Sequence, residues 1–473
     1  MTLSSHPDRT RSHPERKEGT PVDPPADLTG RLASFIAQRN PELPEHVRVA
    51  AKHRILDTLA AMISGATLEA GAASLKYGES VRGRPESQIV TTDILTSVTN
   101  AALVNGMLAH CDETDDFEPV TKAHPGCSVV PAAWAMAERA DASGNVLIAA
   151  VVAGYDTCVR VLRAMDPDAL RASHRSVEGI GATFGASAAA AAAAGLGTTA
   201  TRYVLSYAAQ QASGVWSWVR DNDHVEKAFD FGGMGARNGV YAATMVQAGC
   251  TGVADVFEGE HNVLDAFSRA PRPQELVDAL GERFFVTETA IKTFSVGYPI
   301  QSALDALLRL IREHRFRAAD VELVVARLPE DGAGVVNNRS MPDINIQHML
   351  AVALLDGRVT FASSHDHDRM QDATVLDVKA RVRLQPERAM VDPRARRQAA
   401  IDVTLKDGRT LTHHTLHAPG TMQNPLDTEG VNAKARDLMR EVLGPEKTER
   451  LISHINDLET VRSIRELRPL LQR

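Results

Sequence analysis

The stretch AHCDETDDFEPVTKAHPG, residues 109–126, gathers two histidines and five carboxylates into eighteen positions. His124 precedes Pro125, which pushes its backbone toward an extended conformation. A helix signal begins a few residues later, at Ser128 or Pro131. An imidazole near a helix N-terminus is disfavoured as a cation, and a neutral histidine is what a general base requires. Glu113, Asp115 and Asp116 could orient such a base or bind a cation. His110 and Asp112 stand at i, i+2 and Asp115–Asp116 are adjacent, which matches no recognised ligand spacing. On spacing alone, an acid–base site, a metal site and a solvated loop all remain open.

Other stretches could carry chemistry. In RASHRSVEGIGATFGAS (171–187), His174 and Arg175 stand before an Ala-rich helix. A helix N-terminus with an arginine beside it suits a carboxylate, although an ordinary polar loop has the same composition. Lys227 lies in the Gly-rich approach to a helix, and Lys292 in ETAIKTFSVGYP, a strand-like segment. A lysine among apolar residues either reaches solvent or faces a partner, because its unpaired burial is costly. SSHDHDRMQD (363–372) reads as a solvated loop or helix start, following the strand-like RVTFAS. His413, His414 and His417 read as sheet-surface residues. No G-x-G-x-x-G follows a strand, and no Walker A or G-x-S-x-G motif occurs, so nucleotide cofactors and α/β-hydrolase chemistry have no visible support.

The elements that would position these residues fall into two styles. The chain has 473 residues, enough for two or three domains. Its net charge of −8, with no long basic block, argues against a nucleic-acid surface. The expectation is a mainly α protein: a large all-helical domain with a smaller α+β lid domain inserted. Residues 1–27 are polar and proline-rich and read as a disordered tail. Leu28, Leu32, Phe35 and Ile36 share a helical face, and a second helix follows Pro44 and ends at Gly65. Ala-rich helices continue over 96–110, 128–141, 145–165, 180–195, 200–215 and 235–249, giving a helical domain over 28–275. The period then changes. VELVVARL (321–328), VLDVKARVRL (375–384) and the hairpin around Asp407-Gly408 (399–416) read as strands. Helices begin at Pro299 and cover 346–357. These make the α+β domain over 280–415, and helices over 416–473 return to the first domain. The apolar runs 146–155 and 185–197 read as buried helices, too short or too weakly hydrophobic for a bilayer. Cys111, Cys127, Cys158 and Cys250 show no C-x-x-C spacing and read as free thiols of a cytoplasmic protein.

Taken in order, these segments resemble the MmgE/PrpD family. The resemblance rests on ILDTLAAMISG (55–65), NGMLAHCDETDD with HPGCSVVPAAWAMAE (105–138), GATFGASAAAAAAAGL (181–196), KAFDFGGMGARNGVYAA (227–243), QAGCTGVADVFEGEHN (247–262), PIQSALDAL (299–307), AVALLDGRVTF (351–361) and PGTMQNPLD (419–427). It implies a homodimer and cofactor-free chemistry on a small di- or tricarboxylate, with no metal and the site between the two domains. It assigns His124 as the catalytic histidine, Asp115 and Asp116 as its paired acids, and Lys227 and Lys292 as pocket lysines. Glu113, His174, Arg175 and His348 would line the substrate. The chain departs from the family pattern in four ways. Glu113 takes the first acid place of H-x-x-D-x-D-D. One extra residue separates the acids from His124. Ser176, not His174, falls at the ungapped place of a second histidine. His348 replaces a tyrosine before AVALLDG. The activity implied first is dehydration of a 2-methylcitrate-like 2-hydroxy acid. Decarboxylation or epimerisation of a cis-aconitate- or iminodisuccinate-like acid comes next, then non-catalytic carboxylate binding, with a metal-dependent hydrolase weakest.

Overall fold

A computed structural model describes residues 27–38 and 42–473. The tail expected over 1–27 lies outside these residues except for Asp27, whose carboxylate caps the Leu28–Ile36 helix by accepting from Gly30 N at 3.0 Å. The architecture is mainly α, with two hydrophobic cores. The first takes side chains from Leu28 to Ile291 and again from Val431 to Leu471. The second runs from Val296 to Leu405.

Small residues set the packing of the first core. The Gly144–Met165 and Val177–Ala193 helices cross where Gly154 meets Gly185. A Cβ at Gly154 would stand 2.5 Å from Val129 Cγ1, and one at Gly185 would stand 2.9 Å from Gly154 O. The run Ala188–Ala193 is buried throughout, so close backbone approach replaces bulky interdigitation. The Gly144–Met165 helix is longer than its most apolar run. By length and composition it could cross a membrane, yet 89% of its apolar window is buried among these neighbours. Both ends of the chain close this core. The Thr428–Leu443 helix packs on the Glu45–Gly65 helix, and Gly144 N donates to Val461 O at 2.9 Å. Cys111, Cys127 and Cys158 are buried free thiols and Cys250 is a half-buried one.

Two short strands, β1 (Ser87–Gln88) and β2 (Leu95–Thr96), pair before the site. The second core lies on a four-stranded sheet of β3 (Val321–Pro329), β4 (Val382–Glu387), β5 (Ala399–Leu405) and β6 (Thr410–Thr415), in the order β4-β3-β5-β6. β3 and β4 are parallel, with Val324 opposite Val382, and the other pairs are antiparallel. The β5–β6 hairpin turns at Gly408, φ +92°. Helices Gln301–His314 and Ile346–Asp356 cover the sheet.

Three strand expectations are corrected. Of 375–384, only the end is strand. Asp372 accepts from Thr374 N and Val375 N and starts a helix, Ala373–Lys379, that buries Val375 and Val378 at i, i+3. Val378, Ala380 and Val382 alternate at strand spacing, but that alternation is incidental to the helical face. Thr360 likewise caps a helical turn, Phe361–Ser364, where RVTFAS looked extended. Lys292 lies in irregular backbone between the turns Phe285–Thr287 and Tyr298–Ile300.

Candidate active site

The charged stretch links helix Val98–Ala109 to helix Gly126–Ala140, and it is not a solvated loop: every residue from His110 to Phe117 is buried. Burial of so many polar groups requires partners. Lys434, on the Thr428–Leu443 helix, donates to Thr114 O at 2.8 Å and meets Asp57 Oδ1 at 2.6 Å. Phe117 and Ala290 exchange backbone hydrogen bonds of 3.0 and 2.7 Å. Gly126 N donates to Asp116 Oδ1 at 2.9 Å. The helix starts at Gly126, earlier than Ser128 or Pro131, and so brings its N-terminus next to His124.

Asp115 is the hub. Its Oδ1 lies 3.0 Å from His124 Nδ1 and 3.6 Å from Lys292 Nζ, and its Oδ2 lies 3.0 Å from His110 Nδ1. Burial opposes its charge, but the two imidazoles and Lys292 hold its carboxyl well below the usual range. An ionised carboxylate only accepts, so His124 carries its proton on Nδ1 and leaves Nε2 as a base. Burial lowers the His124 pKa to about 4; the Asp115 charge offsets this only in part. The ring is therefore neutral at neutral pH. Asp116 differs from its neighbour: burial first, then the Asp115 charge, raises it to about 6. A Cβ at Gly126 would stand 2.7 Å from Asp116 Oδ1 and 2.8 Å from the Tyr155 hydroxyl, so this helix start has no room for a side chain.

Glu113 joins two ammonium groups. Lys227 Nζ hydrogen-bonds its Oε1, and Lys292 Nζ lies 3.5 Å from its Oε2. Burial works against Glu113, yet both lysines hold its carboxyl well below the usual range. Burial also works against the Lys292 ammonium, which Glu113 and Asp115 keep charged with a raised pKa. Lys227 comes from the short helix Val225–Ala228, which runs into a π-helical turn, Phe229–Gly233. Such turns distort a helix locally and recur at functional sites. This one lays Phe231 on His110, with centroids 4.2 Å apart, and under Lys227 Nζ at 5.2 Å.

The second unit adds groups that the sequence reading missed. His365 Nε2 reaches Asp112 Oδ2 at 3.0 Å. Burial disfavours its cation, but Asp112 outweighs burial and raises it to about 9. Asp343 faces the same region, and burial raises it to about 7. His110, Asp112 and His224 also belong to the cluster. Burial, then Lys227 and His110, hold His224 well below its ordinary value. His110 and Asp112 were visible in the sequence but weighed only as metal ligands.

Among the residues expected from the sequence, the structure gathers His124, Asp115, Asp116, Glu113, Lys227 and Lys292. It does not gather His174, Arg175 or His348. His174 and Arg175 are exposed; Arg175 lies over the Phe267 ring at 5.0 Å and donates to Phe267 O. Ser176 is the buried member of that segment. It caps helix Val177–Ala193, donates to Asp230 and accepts from Trp218 Nε1 at 3.1 Å. His348 is buried beside the second core, and its charged neighbours are Lys379, Arg369, Asp366 and His367.

Two trios, His110–Glu113–His224 and His110–Asp115–Cys127, have donor atoms within 4.8 Å of one another, a spacing that could hold a metal ion. Their surroundings suit an anion better. Both Glu113 oxygens are taken by ammonium groups, and Lys292 also stands beside Asp115. Among the described residues, Lys292 Nζ, His224 Nε2 and His110 Nε2 are buried without a hydrogen-bond partner. A ligand rich in carboxylates would satisfy the donors among them.

The MmgE/PrpD N-terminal domain matches residues 30–276 and the MmgE/PrpD C-terminal domain matches residues 294–460. The chain is 25% identical to the cis-aconitate decarboxylase-like protein oryM of Aspergillus oryzae, over 96% of this chain and 98% of that protein. It is 26% identical to the cis-aconitate decarboxylase of Homo sapiens, over 91% of each chain. The Mus musculus cis-aconitate decarboxylase is 25% identical, over 89% of this chain and 88% of its own length. Along both of its cores the chain belongs to the MmgE/PrpD family, and the enzyme class its relatives share is that of the lyases.

Proposed function

We propose that the protein is a lyase that decarboxylates a small unsaturated tricarboxylate of the cis-aconitate kind, without a cofactor. One observation carries the reading: a buried Asp115–His124 pair sits beside the Lys292 ammonium, which shares Glu113 with the ammonium of Lys227. The lysines hold substrate carboxylates and stabilise negative charge as it develops. The bond from a CH2 carbon to its carboxylate breaks and releases CO2. The electron pair shifts through the double bond to the far carbon, which takes a proton from His124. That proton comes from solvent. Substrate carboxylates next to the ring favour the imidazolium, as Asp115 does, and so offset the burial that keeps it neutral in the free protein.

Dehydration of a 2-hydroxy acid is the second reading, and the neutral state of His124 favours it. A neutral Nε2 can remove a proton beside a carboxylate while hydroxide leaves as water. The test is NMR in deuterated buffer with cis-aconitate, citrate and 2-methylcitrate. Decarboxylation gives CO2 and a product with one deuteron at the far carbon. Dehydration gives an olefinic product only from the hydroxy acids. Thermal stabilisation by the acids with no conversion would replace both with a carboxylate-binding role. Undiminished turnover in His124→Ala would overturn the mechanism.

A further inference from the structure

A cavity of about 150 Å³ opens between the two units on the far side of the catalytic ring. Its inner wall is Tyr298, tilted against Phe117 at 4.4 Å between centroids, and Phe117 meets the His124 ring edge-on at 5.3 Å. The cavity therefore ends one ring pair away from the base.

Charge on its walls is lopsided. Its two glutamates are already engaged. Glu118 accepts from Thr121 N and Thr121 Oγ1 at 2.5 and 2.6 Å, with Arg163 at 3.9 Å. Glu288 is held by Arg283 through two bonds of 2.6 and 2.7 Å. Arg394 pairs with Asp392 and Arg397 with Asp331. Arg396 has no ion pair among the described residues, and its Nε is buried without a hydrogen-bond partner. His417 also lines the cavity. Lys122, nearby, is held below its ordinary pKa by burial first and then by Arg171, with Asp168 opposing and Arg397 and Arg396 adding to the shift. A guanidinium with an unused buried N–H, facing a cavity, is suited to a carboxylate.

We propose that this cavity is a second anion site, apart from the His124 cluster, in which Arg396 takes a carboxylate of a small polycarboxylate. The choice of acid rests on the proposed function; the site itself does not. The anion has two possible sources: substrate waiting behind the Tyr298–Phe117 pair, or a separate effector acid.

The test is calorimetric titration with tricarballylate, a saturated tricarboxylate with no double bond or hydroxyl to react. Wild type should bind two equivalents. Arg396→Gln should lose one, or weaken it about tenfold, while Arg396→Lys keeps most of the affinity and both variants keep the wild-type melting temperature. Lys227→Gln should weaken only the other equivalent. If Lys227→Gln changes nothing while Arg396→Gln does, the proposed function fails and this site stands. Unchanged stoichiometry and affinity in Arg396→Gln overturn the site. Kinetics then separate the sources. A waiting substrate predicts kcat/KM about tenfold lower in Arg396→Gln with kcat unchanged. An effector predicts unchanged kinetics without added tricarballylate and loss of its non-competitive effect.

Discussion

Asp115→Asn is nearly isosteric and removes one charge from the centre of the site. The contact to His124 is 3.0 Å between heavy atoms, so the two charge centres lie about 4 Å apart when the ring is protonated. At an effective dielectric of about 20, that attraction is about 4 kcal/mol, a factor of about 10³ in the population of the imidazolium that gives up the proton. Asp116 returns part of it. The Asp115 charge is one reason its pKa reaches about 6, so without that charge it ionises more readily. The expected loss is therefore about 10²- to 10³-fold in kcat, with KM changed little because Lys227 and Lys292 remain. The assay is turnover by NMR at saturating acid, with melting temperatures as the control for folding. A kcat within threefold of wild type, in a variant that melts normally, would refute the Asp115–His124 reasoning.

His365→Gln tests the contact between the two units. His365 is raised from 6.5 to about 9, so its stabilisation is complete below pH 6.5 and fades as pH rises through 9. The shift corresponds to at most about 3 kcal/mol. The variant should melt well below wild type at pH 6 and close to it above pH 9; an equal gap at both would be against the assignment. Gly126→Ala places a methyl against Asp116, Thr58 and Tyr155. It should cost about 1–3 kcal/mol by overpacking, and an unchanged melting temperature would contradict that crowding. His174→Ala and Arg175→Ala, on the surface, should leave kcat/KM within twofold of wild type; a tenfold loss would return them to the substrate.

What could be read from the sequence follows its periodicities. The helical domain was legible because Ala- and Leu-rich faces repeat over long helices such as Gly144–Met165. The 399–416 hairpin was legible because Asp407-Gly408 supplies the turn. The Ala373–Lys379 helix was not, because Val378 also alternates with Ala380 and Val382 toward β4, and only Asp372, the cap, marks a helix start. Within the site, His124, Asp115 and Asp116 could be found because they share one loop. His365 and Asp343 could not, because only the docking of the second unit brings them to Asp112. The resemblance alone points to His348, and the place before a helix N-terminus points to Arg175; a helix turn and an exposed loop direct them elsewhere.

The closure of the first core by both chain ends has a consequence during synthesis. Gly144 is sealed by Leu458 and Val461, and Leu471 O accepts from Thr91 N at 2.7 Å, so the last segment completes a core begun by the first. At about 5–20 residues per second, the Gly144–Met165 helix leaves the ribosome roughly 15–60 s before those residues exist. The second core is made before then and can fold in the interval. For that time the most membrane-like helix of the chain lacks its final cover, and the nascent protein depends on chaperones or on its own earlier helices to keep that helix from aggregating.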